Sequence, residues 1–176
     1  MVVKISVTKG VLFLFLVIFS SCSTVQYYIV RHAEKETQGM GTGSLMTNDP
    51  ALSASGQERA LTLREILMNK KIGYIFSTNT IRTQTTAQPM ADYLGLKTEI
   101  YGPLPDSGFI KKLRSLRKSV LIVGHSNTVD DIVNRLCGEK KVPGDLKDLE
   151  YDNLFIVKKK GRKLKFENKK YGPRTN

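Results

Sequence analysis

Histidine and cysteine are scarce in this chain, with two of each among 176 residues. Cys22 and Cys137 are too few for a disulfide framework or a thiolate metal site. His32 and His125 show no helical spacing and fall short of the three or four protein ligands that zinc takes. Long apolar runs are missing too. "VLFLFLVIF" at 11–19 has nine residues, where a helix crossing a hydrocarbon core needs roughly 20. Acidic residues are also in short supply: 28 Lys and Arg against 16 Asp and Glu leave a net charge of +12. That balance favours an anionic partner, whether a phosphorylated molecule, a nucleic acid or an acidic membrane surface. The 40% apolar and 25% charged content is ordinary for a globular protein, and the length suits one domain with a proper core.

The apolar run follows Lys4 and Lys9 and leads into "SSCS". A positive region, a short apolar region and small residues describe an export signal. "FSSC" resembles a relaxed bacterial lipobox, with Phe19 where Leu is usual. The expectation is a lipoprotein-type signal segment over 1–22, lipid on Cys22, and an exported, membrane-anchored chain in the cell envelope. Cys137, on an apolar helical stretch, then reads as a buried small hydrophobe. Residues 23–176 form the domain, its first strand beginning four residues on, at Tyr27.

From there strand and helix patterns alternate. "YYIV" (27–30) is a continuous apolar run, the mark of a strand buried on both faces. A long polar loop spans 34–50. An amphipathic helix follows, with Ser53 or Ser55 as its cap. Further strands are expected at 74–78, 97–102 and 119–124, with helices at 81–95 (kinked near Pro89, stopped by Gly95), 106–118 and 127–138. A basic hairpin turning at Gly161 ends the chain, and it reads as a solvated surface with no aromatic interleaving for nucleic acid. The fold class is α/β: a three-layer α/β/α domain around a mostly parallel sheet.

Ligands of such sheets sit beyond the carboxyl ends of the strands. Arg31 and His32 leave the first strand there, His125 and Ser126 leave the fourth, and Arg82 opens the helix after the second. "VLIVGHSNT" could be a nucleophile elbow with Ser126 attacking. Thr128 stands where that motif needs its second Gly, however, and no histidine follows residue 126. Two arginines and two imidazoles instead make a cage for a phosphoryl dianion, since a guanidinium fork matches phosphate bidentately. One unprotonated imidazole can attack phosphorus, and the other can donate to the same oxygens. The residues alone do not say which histidine attacks.

"RHAE" (31–34), "LSASGQERA" (52–60), "STNTIRTQTTA" (77–87) and "VGHSNT" (123–128) together resemble the ordered motifs of the histidine phosphatase superfamily, in its phosphoglycerate-mutase-like branch. The resemblance implies that His32 is the nucleophile that becomes phosphohistidine. It implies a phosphate pocket of Arg31, Arg82 and His125, which Ser126 adjoins as a substrate-binding position, and work without metal or cofactor. Mutases of the family usually read R-H-G where this chain has Ala33, and many members carry a Glu as general acid after the third strand. Here that stretch is "YGPLPDSGF", so Asp106 is the acid candidate, with Glu34 and Glu99 behind it.

The function expected is a metal-independent phosphohydrolase, a phosphomonoesterase or related enzyme, acting on a phosphorylated small molecule or a phosphoprotein. The alternative is a non-catalytic phosphate-binding lipoprotein of the same fold. No specific nucleic-acid partner is expected, and no feature specifies an oligomeric state.

Overall fold

The computed structural model describes residues 24–36 and 49–175. The signal segment with Cys22, and positions 37–48 of the polar loop, lie outside the described residues. In chain order the elements are β1 (Val25–Arg31), α1 (Ala54–Leu67), β2 (Ile72–Ser77), α2 (Ile81–Leu94), β3 (Thr98–Ile100), α3 (Ser107–Ser115), β4 (Ser119–Gly124), α4 (Val129–Cys137), β5 (Asn153–Lys160) and β6 (Lys163–Lys170). They build a six-stranded sheet of order β3-β2-β4-β1-β5-β6. The sheet is mixed: β3, β2, β4 and β1 run parallel, while β5 is antiparallel to both β1 and β6. Among the described residues no helix is long and apolar enough to cross a membrane.

Burial on both faces explains the unbroken apolar run of β1. Tyr27 and Ile29 face the cluster that holds Leu113 of α3 and Ile132 of α4. Tyr28 and Val30 face the opposite cluster, with Leu63 of α1 and Met90 of α2. Period-two alternation therefore feeds two cores, and the helices divide into two layers. Each fully buried aliphatic or aromatic side chain contributes about 1.5–3 kcal/mol. The same logic holds for β5, which sends Phe155 and Val157 to one core and Leu154 and Ile156 to the other before running out into lysines. β6 closes the edge with "KLKFENKK", and a row of lysines on an exposed edge discourages further strand pairing.

Several boundaries differ from the sequence reading. β1 begins at Val25, because its first residues pair with Lys159 and Lys158 of the hairpin, so only Ser23 and Thr24 separate Cys22 from the sheet. Ser53 is the cap of α1, its Oγ accepting from the Gly56 N–H at 3.2 Å. α2 runs through Pro89 as one helix and ends on Gly95 in the left-handed region (φ 62°). β3 is only three residues long, at the far edge of the sheet. Cys137 is half-buried rather than buried.

Candidate active site

The order of strands decides the site. β4 lies between β2 and β1, and Arg31 pairs with Gly124 in register. The His32 N–H then donates to the Gly124 carbonyl (2.8 Å), which sets His32 and His125 side by side at the carboxyl edge, ring centroids 5.5 Å apart. Gly124 is required there, since any Cβ would meet Thr128 Oγ1 and Tyr101 Oη, each at 2.8 Å.

His32 is 4% exposed. Its Nδ1 lies 2.8 Å from the Ala33 carbonyl oxygen, which can only accept, so Nδ1 carries the proton and Nε2 the lone pair. Burial above all, then the charges of Arg31 and Arg82, pushes its pKa down from 6.5 to about 3. The imidazole is therefore neutral at physiological pH, with a lone pair on Nε2. His125 is pushed down to about 4, again chiefly by burial and then by Arg82. Arg82 Nη2 donates to its Nδ1 (3.4 Å), which leaves the proton on Nε2, facing Thr78 Oγ1 at 2.8 Å.

The arginines are held from outside the four motif stretches. Arg31 Nη1 donates to the carbonyls of Lys147 (2.9 Å) and Asp148 (3.0 Å), and its guanidinium lies 4.1 Å from the centre of the Tyr151 ring. Its Nε is buried without a partner among the described residues, a donor free for an oxyanion. Arg82 Nη1 donates to Asp49 Oδ1 (2.9 Å), while Asp49 Oδ2 accepts from the Ile81 N–H (2.7 Å) at the start of α2. Asp49, Thr78 and Tyr151 are thus parts of the site that reading the sequence missed. Only Thr78 carried a signal, by standing at the end of a strand next to the Arg82 helix.

Ala33 is fully buried, its methyl clustered with Leu52 and Ala60 and its N–H donating to Thr86 Oγ1 (2.9 Å). An alanine in place of glycine is accommodated by this small apolar patch. Ser126 sits beside His125, and its carbonyl accepts from the Leu146 N–H (2.9 Å).

The three acid candidates are otherwise engaged. Asp106 caps α3, its Oδ1 accepting from the Phe109 N–H at 2.7 Å. Glu34 accepts from Arg59 Nε and Nη2 at 2.7–3.0 Å, and Glu99 pairs with Lys112 at 2.7 Å. None has a hydrogen bond to Arg31, His32, Arg82 or His125 among the described residues. Nor does any group of three or more His, Cys, Asp or Glu side chains gather there to hold a metal ion.

Residues 27–105 match the model of the histidine phosphatase superfamily, branch 1. The matched segment, which holds Arg31, His32 and Arg82, is therefore similar to that superfamily, and His125 lies beyond it. Solved structures with this histidine phosphatase fold include the protein histidine phosphatase SixA complexed with tungstate, 19% identical with a TM-score of 0.64 over 83% of this chain and 97% of that one. SixA from Agrobacterium tumefaciens is 15% identical, with a TM-score of 0.61 over 85% of this chain and 99% of that one. A mycobacterial glucosyl-3-phosphoglycerate phosphatase is 12% identical, with a TM-score of 0.56 over 85% and 99%. At these identities the likeness is one of fold. No curated protein matches the sequence.

Proposed function

We propose that the protein is a phosphohydrolase that works through a phosphohistidine on His32. One observation carries this reading: a buried, neutral imidazole with its Nδ1 proton tied to the Ala33 carbonyl, in the field of Arg31 and Arg82 and beside a second neutral imidazole. Nε2 attacks phosphorus in line, the P–O or P–N bond to the leaving group breaks, and the phosphoryl group passes to Nε2. Arg31 and Arg82 take up charge on the equatorial oxygens, and His125 donates to them from the side held by Thr78. Water then cleaves the phosphohistidine and releases phosphate. The family match and the tungstate complex of a structural neighbour support a pocket for tetrahedral oxyanions.

The engagement of Asp106, Glu34 and Glu99 favours leaving groups that need no proton: phosphoramidates, phosphoanhydrides and phenol-like esters. It also supports the second reading, a phosphate-binding protein without turnover. The proposed location is the cell envelope, through lipid on Cys22.

The test is phosphate release from an aryl phosphate in excess EDTA, by wild type and His32→Ala. Wild-type turnover that survives EDTA, and falls by roughly 10⁴-fold or more in the variant, is the expected result. Absence of wild-type turnover, alongside phosphate binding that depends on Arg31 and Arg82, would sink the enzyme reading in favour of the binding one.

A further inference from the structure

The end of the sheet opposite the histidines carries a surface of its own. The three loops that feed β2, β3 and β4 at that end are basic: Lys70 and Lys71 precede β2, Lys97 precedes β3, and Arg117 and Lys118 precede β4. Because β5 runs antiparallel, the hairpin turn arrives at the same end and adds Lys159, Lys160, Arg162 and Lys163. Pairing fixes these pieces together. Val25 lies opposite Lys159 and Ile72 opposite Ser119, and the Lys118 stem covers Gly73 so closely that a Cβ there would collide with it. Eight of these nine are exposed and Lys159 is half-buried, and none takes part in an ion pair among the described residues. The carboxylate of the neighbouring loop, Glu139, is paired with Lys141 at 2.9 Å.

Within this face lies a cavity of about 300 Å³ with an apolar floor of Tyr27, Leu136 and Leu164 and a cationic rim of Arg114, Lys159 and Arg162. Apolar floor and cationic rim together match a phospholipid headgroup and the start of its chains better than a soluble anion. Base stacking finds nothing to use, because Tyr27 is buried. The chain outside the described residues enters here as well: Lys4, Lys9 and the apolar run 11–19 lead into β1 at Val25.

We propose that this amino-end face docks on an anionic phospholipid surface, which directs the His32 and His125 edge away from the bilayer. Clustered Lys and Arg bind an anionic leaflet and release it as salt shortens the screening length. The proposal stands apart from the catalytic reading, and its readout is not activity. The sequence has no tryptophan, so Leu164→Trp in the full-length chain places a single reporter on the face, and Leu104→Trp places one in the loop after β3 at the catalytic end. Each would be mixed with vesicles of phosphatidylcholine alone, or with brominated phosphatidylglycerol added. Expected are a blue shift and quenching of the Leu164→Trp reporter on the anionic vesicles only. High salt, or the added pair Lys160→Glu and Arg162→Glu, should abolish both, and the Leu104→Trp reporter should stay unquenched. An equal response on neutral vesicles would assign the contact to the apolar segment alone and overturn the proposal. Quenching at Leu104→Trp, or a response to an oligonucleotide as strong as to phosphatidylglycerol, would overturn it too.

Discussion

Two arginine–carboxylate pairs lie near the carboxyl end of β1 and are built to opposite ends. Arg59 on α1 is 1% exposed and engages Glu34 from Nε and Nη2. Its remaining donors reach the carbonyls of Tyr171 (2.8 Å) and Pro173 (2.8 Å), and the ring of Tyr171 lies beside it. Among the described residues Arg82 has only Asp49, itself a third exposed, and one nitrogen of His125. An arginine whose donors are satisfied inside the fold is a strut. One that keeps spare donors and a displaceable partner is poised for an incoming anion. The presence of an ion pair therefore says little about role, and the count of donors left over says much.

Removing the strut should have the largest effect. Arg59→Met leaves Glu34 and two backbone carbonyls without their partner, and breaking one side of a buried pair costs about 3–5 kcal/mol. A urea titration should show that loss, with KM for the remaining folded protein near wild type. Next comes Arg82→Ala, which should cut kcat/KM for an aryl phosphate by about 10²–10³-fold. Its unfolding free energy from urea titration should fall by no more than about 1 kcal/mol, because a partly exposed pair contributes little. If Arg82→Ala unfolds the protein while Arg59→Met is silent, the distinction between strut and anion site is wrong.

The contrast between these pairs was half legible in the sequence. The Arg31-His32 pair at a strand end, Arg82 opening a helix and His125 after a Gly all follow from alternating elements and the rule of carboxyl ends. So did the two-faced burial of β1. The partners were not legible. Arg31 finds the carbonyls of Lys147 and Asp148 across more than a hundred residues, from an irregular loop with no period to read. Asp49 stood in a polar loop among other polar residues, and Glu34 looked like a possible acid until its pairing with Arg59 appeared. Periodicity reports which face a residue occupies. It does not report which distant backbone the fold lays against it.

Acidity probes the interior directly. Folded His32 and His125 resist protonation down to about pH 3 and 4, against 6.5 for the free side chain. Below about pH 6.5 the unfolded chain binds protons that the folded one refuses, so stability should fall on acidification through that window and level off above it. His32 contributes at most about 1.4 kcal/mol per pH unit. Thermal midpoints measured from neutral pH to about pH 4 should fall less steeply in His32→Gln. The smallest effect belongs to Asp49→Asn, which keeps an acceptor for the Ile81 N–H but unpairs Arg82. Phosphate affinity by calorimetry should rise about 2- to 5-fold, the worth of a partly exposed pair. An unchanged affinity would mean that Asp49 does not compete with the anion.

The strut also ties the end of the chain to the beginning of the chemistry. Glu34 lies two residues after His32, and the arginine that holds it is itself held by the carbonyls of Tyr171 and Pro173. Those two residues follow the last strand of the sheet. A chain lacking them would leave the segment after His32 unclamped, so the geometry around that imidazole depends on residues more than 130 positions away.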